Sequence, residues 1–294
     1  MRLTYVLITP ARNEEDFIEK TIQSVISQSV LPFRWVIVSD GSTDQTDAIV
    51  RNYLPQYSWM ELVRMPDHRD RNFAAKVSCF NAGYARLSGF EYDIIGNLDA
   101  DISFESDYIA FLLKHFEENP RLGVAGTPFV EKNDKTYDFK FASIDHVSGA
   151  CQLFRRRCFE DIGGYTPIKG GGIDWVAVTS ARMKGWNTRT FPEKTCFHHR
   201  PMGTGSSGLL GARFKLGKED YYLGGHPLWQ ACRAMFQIKE RPYLIGAICL
   251  FSGYLWAAVS RMKRPLPQEL VIFHRLEQMS RLKTIFRKML RMAV

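Results

Sequence analysis

The sequence has no paired or metal-spaced cysteines: its six Cys in 294 residues form no CxxC and no other zinc-like spacing. That excludes a zinc ribbon and gives no reason for a disulfide framework in a chain of this length. A reducing compartment fits that usage. No basic and then apolar leader precedes the strand-like residues 4–9, so no secretory signal is read there and the body of the chain is expected in the cytosol. Repeats of about 20–50 residues and low-complexity tracts are also missing, which sets aside solenoids and propellers. With 45% hydrophobic and 24% charged residues, the chain carries enough apolar side chain for a large core, and disorder is excluded.

Basic charge is scarce over most of the chain despite a formal total of +8. From Arg261 onward, nine Lys and Arg stand against two acidic residues, a local excess of +7, which leaves residues 1–260 close to neutral. A nucleic-acid-binding body needs a basic face. No nucleic-acid partner is therefore expected, and the basic tail requires another account.

What is present is alternation. Residues 5–8 and 35–39 are apolar runs rich in β-branched side chains, and between them Phe17, Ile18, Ile22, Val25 and Ile26 recur at helical spacing within residues 14–29. This pattern predicts a βαβ unit. After Asp40-Gly41-Ser42-Thr43-Asp44, which can cap a helix, Ala48, Ile49 and Tyr53 mark a second one. Strands over 61–64 and 92–98, with a helix over 74–86 between them, continue the series. The expected fold class is α/β, a mainly parallel sheet flanked by helices, with ligands bound beyond the carboxyl ends of the strands.

The fourth strand ends in Asn97-Leu98-Asp99-Ala100-Asp101. Two carboxylates one residue apart at a strand end can turn toward one hard cation, and magnesium or manganese takes such oxygen ligands and bridges to phosphate. A surface loop can also carry two aspartates, but this pair stands at the expected ligand-binding edge.

Taken in order, the polar clusters resemble those of the family-2 inverting glycosyltransferases of the GT-A (nucleotide-diphospho-sugar transferase) fold. The resemblance rests on Thr9-Pro10-Ala11-Arg12-Asn13-Glu14 after the first strand, Val38-Ser39-Asp40-Gly41-Ser42-Thr43-Asp44 after the second, and Lys76 with Asn81-Ala82-Gly83 on the third helix. Asp99-Ala100-Asp101, Ser148-Gly149-Ala150, Phe154-Arg155-Arg156 and Phe159-Glu160-Asp161-Ile162-Gly163-Gly164-Tyr165 complete it. It runs from Val6 to about His199, roughly two thirds of the chain. It implies a nucleotide-sugar donor, with Pro10, Ala11 and Glu14 lining the nucleotide pocket and Asp40 on the base. It also implies Asp99 near the ribose and metal, and Asp101 as a direct ligand of a Mn or Mg cation. Lys76 either neutralises the donor diphosphate or stands solvated on its helix.

Transfer with inversion needs a carboxylate to take the acceptor's proton. Asp174, between Gly170-Gly171-Gly172-Ile173 and the helical residues 175–184, is the candidate base; its other reading is a helix cap. The similar enzymes carry a Glu-Asp pair here, and Ile173 departs from that pattern. His198-His199 follows a strand expected over 195–197, and alternation lets only one of the two reach a metal. The resemblance implies one of them as a ligand, with His198 preferred.

Seven glycines between 203 and 225 predict a lid or linker in which Arg213 and Lys215 bind acceptor or phosphate. The expected division is a catalytic domain over 1–202, this glycine-rich segment over 203–225, and a helical, apolar and basic membrane-associating region over 226–294. The uncharged residues 242–260 are at the short end of what spans a bilayer. A single crossing with the donor site in the cytosol would leave the basic tail outside, against the positive-inside tendency. A monotopic or re-entrant helix at the cytoplasmic face of the inner (plasma) membrane is expected instead. Apolar stripes at Leu228, Trp229, Cys232, Met235 and Phe236, and at Leu282, Ile285, Phe286 and Met289, fit that reading.

The function expected from all this is metal-dependent transfer of a sugar to a membrane-held acceptor, of the polyprenyl-phosphate-linked saccharide kind used in surface polysaccharide assembly. Similar processive synthases carry several spanning helices and a Gln-x-x-Arg-Trp motif; neither is in this sequence, so single-sugar addition is favoured. A nucleotidyltransferase would want a glycine-rich basic loop where Pro10-Ala11-Arg12-Asn13-Glu14 stands. A noncatalytic basic membrane adaptor would have no use for the acidic strand end.

Overall fold

The computed structural model describes residues 3–66, 73–131, 143–200, 208–239 and 241–292. The chain divides into two compact units, Met1–Pro201 and Met202–Val294. In the first, β1 (Tyr5–Ala11), α1 (Ile18–Ile26), β2 (Arg34–Ser39), α2 (Thr46–Tyr53), β3 (Met60–Arg64), α3 (Phe73–Ala85) and β4 (Ile94–Leu98) alternate along the chain. There follow β5 (Ile102–Ser103), α4 (Tyr108–Glu118), β6 (Leu122–Gly126), β7 (Phe129–Val130), β8 (Cys151–Arg155), α5 (Arg156–Asp161), α6 (Ile173–Met183), β9 (Asn187–Thr190) and β10 (Cys196–His198).

Seven strands form one sheet in the order β3-β2-β1-β4-β8-β6-β9. The pairs β2–β3, β1–β2, β1–β4 and β6–β9 are parallel, while β8 is antiparallel to both β4 and β6. The helical crossovers cover both faces of the parallel part, so β1 and β4 are buried nearly throughout and read as unbroken apolar runs. Trp35 is fully buried, and its indole N–H donates to Thr9 Oγ1 at 2.9 Å, which removes the penalty of burying that polar atom. Helix α1 buries Ile18, Ile22 and Val25, the i, i+4, i+7 face of an amphipathic helix. It starts later than periodicity alone suggests because the Glu14 carbonyl accepts from the amides of both Phe17 and Ile18, closing a separate turn first.

Strand register decides what meets at the carboxyl edge. Ala11 lies opposite Ser39 and Ile8 opposite Asn97, so the segments after β1, β2 and β4 emerge together. Leu98 opposite Cys151 brings Gly149 and Ala150 to the same edge from the antiparallel strand. A second sheet, β5-β10-β7, was not expected from the sequence. In it His198 pairs with Ile102 and Phe197 with Val130, which carries the histidine pair back beside Asp101 across almost a hundred residues of chain.

The second unit contains α7 (Leu209–Tyr222), α8 (Pro227–Gln237), α9 (Tyr243–Val259) and α10 (Gln268–Met292). This corrects the lid or linker expected over 203–225: residues 209–222 are helical, and 203–207 lie outside the described residues. The glycines here serve close approach instead of backbone freedom. A Cβ on Gly217 would stand 1.9 Å from the Leu250 carbonyl oxygen, and one on Gly253 would stand 2.0 Å from that of Phe214. The α7 and α9 backbones therefore touch at these two positions. Part of the basic tail is also used internally. Arg264 Nε donates to the Tyr221 carbonyl at 3.1 Å, Arg275 Nε donates to that of Gly224 at 2.9 Å, and Arg281 lies over the Trp229 ring.

Helix α9 holds most of the uncharged run, with Gly246, Ala247, Leu250, Gly253, Tyr254 and Ala257 buried. Among the described residues no helix is long and apolar enough to cross a membrane. The α8 stripe is split: Cys232 is buried, while Leu228, Met235 and Phe236 are exposed.

Because the Gly253 contact is with backbone, Gly253→Val should lower the unfolding free energy by about 3 kcal/mol or more, read by urea denaturation. Gly208, which has nothing within 4 Å of a built Cβ, is the control, and Gly208→Ala should change stability by less than about 1 kcal/mol.

Candidate active site

The loops after β1 and β2 are locked together by side chains that accept from each other's backbone. Asn13 takes a left-handed conformation, φ 55°, which asparagine tolerates better than most residues. Its Oδ1 accepts from the Thr43 amide at 2.9 Å, while its own amide donates to Ser42 Oγ at 3.2 Å. The Glu14 amide donates to Thr46 Oγ1 at 2.7 Å. Asp40 is buried and paired with Arg12 at 3.4 Å, and its amide donates to the Ala11 carbonyl. The structure thus gathers Pro10, Ala11, Glu14 and Asp40 on one rim.

Beside that rim stands the end of β4. The Asp99 amide donates to the Ala150 carbonyl at 2.9 Å, and Lys76 Nζ on α3 reaches Asp99 Oδ1 at 2.5 Å. Asp101 is buried, with His198 Nε2 3.6 Å from one oxygen and Arg200 Nε 3.8 Å from the other. Burial first, and then the charge of Asp99, push the Asp101 carboxyl above its ordinary range, against the opposing pull of His198, Arg200 and Lys76. Burial by itself would lower the Lys76 pKa, but Asp99, reinforced by Asp174 and Asp101, outweighs it and raises the value. Lys76 is thus an engaged cation, and the solvated reading of it is set aside.

Asp174 is the second residue of α6, whose N-cap is Gly172 in the left-handed region at φ 81°, where a side chain would be strained. That turn points the carboxylate back toward β8, and Asp174 Oδ2 accepts from the Gly149 amide at 3.1 Å. Asp174 acts electrostatically on the same lysine that Asp99 holds, so base candidate and acidic strand end belong to one field.

Carboxylate oxygens of Asp99 and Asp101 and a ring nitrogen of His198 all lie within 4.8 Å of one another. Two hard oxygens and an imidazole with that separation can close on one divalent cation. His199 is turned the other way: its Nε2 is 2.9 Å from Ser103 Oγ and its ring stacks near Phe17. The alternation of strand side chains is what separates the two histidines.

The family model for glycosyl transferase family 2 matches residues 6–163, more than half of the chain. The chain belongs to glycosyl transferase family 2. Poly-β-1,6-N-acetyl-D-glucosamine synthase of Staphylococcus epidermidis is 25% identical over 170 residues, which are 51% of this chain and 39% of the synthase; the chain thus spans about two fifths of the curated relatives it matches. The solved mannosyltransferase PcManGT of Pyrobaculum calidifontis, in complex with GDP-mannose and Mn2+, superposes with a TM-score of 0.60 at 19% identity, covering 99% of this chain and 81% of its own. Residues 1–349 of Staphylococcus aureus TarS in complex with UDP-GlcNAc superpose with a TM-score of 0.57 at 16% identity, covering 88% and 73%. The shared architecture is the GT-A fold.

The family match stops before Asp174 and His198, so their convergence on the acidic strand end is a tertiary fact. Arg213 and Lys215 lie on α7 in the second unit and not on a glycine-rich coil; Arg213 Nη2 donates to the Arg241 carbonyl at 3.4 Å. Two residues were missed in the sequence. Arg200 bonds Glu14 Oε2 at 2.6 Å and the Asn13 carbonyl at 3.3 Å, linking the rim after β1 to Asp101. Its signal was its position, a cation directly after the histidine pair. Glu131, whose Oε1 is 3.9 Å from His198 Nδ1, had no signal, because β7 was not foreseen.

Manganese titration separates the two histidines. His198→Ala should weaken Mn2+ binding by more than about tenfold, since even outer-shell partners of a metal are worth that much, while His199→Ala should leave it unchanged. Because the Asp101 carboxyl is raised and its protonated form does not ligate, Mn2+ affinity should fall on acidification, beginning above the pH at which a free aspartate titrates.

Proposed function

We propose that this chain transfers a sugar, with inversion, from a nucleotide-sugar donor to a saccharide acceptor held at a membrane, of the polyprenyl-phosphate-linked kind used in surface polysaccharide assembly. The observation that carries the reading is the convergence of Asp99, Asp101, His198 and Asp174 at one sheet edge, beside a rim formed by Pro10, Ala11, Glu14 and Asp40. Membership of family 2 and fold neighbours solved with GDP-mannose or UDP-GlcNAc support a nucleotide-sugar donor.

In this reading the two β-loops seat the nucleoside, with Asp40 on the base. Asp99, Asp101 and His198 hold a divalent cation, which when bound draws negative charge from the departing diphosphate. The imidazole in the set favours manganese over magnesium, which prefers all-oxygen ligation. Lys76 sits where it can share diphosphate charge with Asp99. Asp174, pinned through one oxygen by the Gly149 amide, takes the proton of the attacking acceptor hydroxyl with the other.

The membrane half of the reading rests on the second unit. Leu244, Ile245, Ile248, Trp256 and Val259 of α9 are about half exposed or more, a concentration of apolar surface that water does not favour. Basic residues of the tail flank it in sequence, as in helices that lie on anionic lipid. The proposed location is the cytoplasmic face of the inner membrane, with the helix lying in the interface.

Asp174→Asn should lower kcat by about a hundredfold or more while donor affinity stays within error. A panel of GDP- and UDP-sugars with Mn2+ and membrane extract as acceptor provides the assay, and full turnover in the variant would remove Asp174 as base. On vesicles containing anionic lipid, the chain should remain bound through a high-salt wash and come off in detergent. Complete release by salt alone would contradict insertion of the α9 face.

A further inference from the structure

The His198 ring stands between two carboxylates. Nε2 is 3.6 Å from Asp101 Oδ1, and Nδ1 is 3.9 Å from Glu131 Oε1. All three side chains are nearly buried, at 11% exposure for His198, 11% for Asp101 and 13% for Glu131. Nδ1 itself is shut off from solvent and has no hydrogen-bond partner among the described residues. The arrangement follows from the small sheet. β7 pairs in parallel with β10, Phe197 opposite Val130, so the residue after each of those two is His198 and Glu131. Phe129, one strand residue earlier, tilts against the imidazole at 5.6 Å between ring centres and limits its rotation.

A neutral imidazole carries one ring proton, and the nitrogen that carries it cannot ligate a cation. Which nitrogen is free is set by the partner of the other. Here the nitrogen facing Asp101 is Nε2, and the one facing away meets a carboxylate, which as an ionised acceptor favours N–H at Nδ1. The separation exceeds a direct hydrogen bond and lies within reach of a rotamer change or one bridging water.

We propose that Glu131 is a positioning residue for the cation site: it accepts from His198 Nδ1–H and so holds the ring in the tautomer and orientation that present the Nε2 lone pair to Asp99 and Asp101. This rests on the reading of Asp99, Asp101 and His198 as cation ligands. It adds to that reading a carboxylate–histidine pair behind the ligand, its carboxylate supplied by the residue after β7 and not by the β4–β5 segment that carries the acidic pair.

The test uses the full chain and Mn2+ alone, with free Mn2+ followed by its EPR signal. Glu131→Ala should weaken Mn2+ binding by about tenfold to a hundredfold. Glu131→Gln, whose amide oxygen still accepts from Nδ1–H, should keep most of the affinity. With 15N-labelled histidine, NMR should find the Nδ1–H tautomer of His198 in the wild type and in Glu131→Gln, and a mixture in Glu131→Ala. Wild-type affinity in Glu131→Ala would overturn the inference, and so would equal losses in the two variants, which would mean that the carboxylate ligates directly. His198→Ala tells the two failures apart. If it loses Mn2+ binding while Glu131→Ala does not, only the Glu131 role falls; if it binds Mn2+ normally, the ligand reading of His198 falls with it.

Discussion

Two like charges held one residue apart at the end of a buried strand are the constraint around which the first unit is arranged. Burial raises the cost of ionising Asp101, and the charge of Asp99 adds to it. The fold answers with nitrogen-bearing side chains drawn from two separate places: Lys76 from α3, and His198 and Arg200 from the end of β10 and the residues just after it. Each is committed to a carboxylate in a way that leaves oxygen and nitrogen ligands converging on a small volume. An electrostatic deficit of this kind is common at functional sites and costly elsewhere, so its presence at the carboxyl edge of a GT-A sheet is coherent with the chemistry of family 2.

The parallel part of the sheet could not have built this site alone. Strands β1, β2 and β4 lead into the rim of Pro10, Ala11, Glu14 and Asp40 and into the acidic pair, all from about the first third of the chain. Asp174 and His198 come from later in the chain, through two departures from simple alternation. Antiparallel β8 brings Gly149 to the edge, where its amide fixes Asp174. The three-stranded sheet then folds β10 against β5, so that His198 and its neighbour Arg200 close the site from the opposite side. Arg200 joins that closure to Glu14 on the rim formed after β1 and β2, because its guanidinium meets both Glu14 and Asp101.

In the second unit the same residue type has opposite consequences in sequence and in space. Glycine suggests freedom when its neighbours are unknown, yet Gly217 and Gly253 are where two helix backbones meet with no room for a side chain. The contact buries the small residues of α9 together with Leu250 and Tyr254, and leaves Leu244, Ile245, Ile248, Trp256 and Val259 outward. Several arginines of the basic tail meanwhile hold carbonyls and aromatic rings of their own unit, so the tail's charge is partly structural.

What the residues by themselves determined is whatever short-range physics dictates. Alternating β-branched runs and amphipathic spacing specified β1 through β4 with their helices, because each such segment has only one way to bury its apolar face. The polar cluster directly after β4 marked Asp99 and Asp101, because strand ends in a parallel sheet share an edge, while Pro10, Ala11, Glu14 and Asp40 were marked by the resemblance of their clusters to those of family 2. Only the tertiary structure decided the rest. Two-residue strands such as β5 and β7 have no periodicity to detect, so the partner of β10, the choice between His198 and His199, and the place of Glu131 all depended on pairings between distant segments. Whether a glycine loosens the chain or lets two helices touch is likewise a property of what packs against it, and no local pattern carries that information.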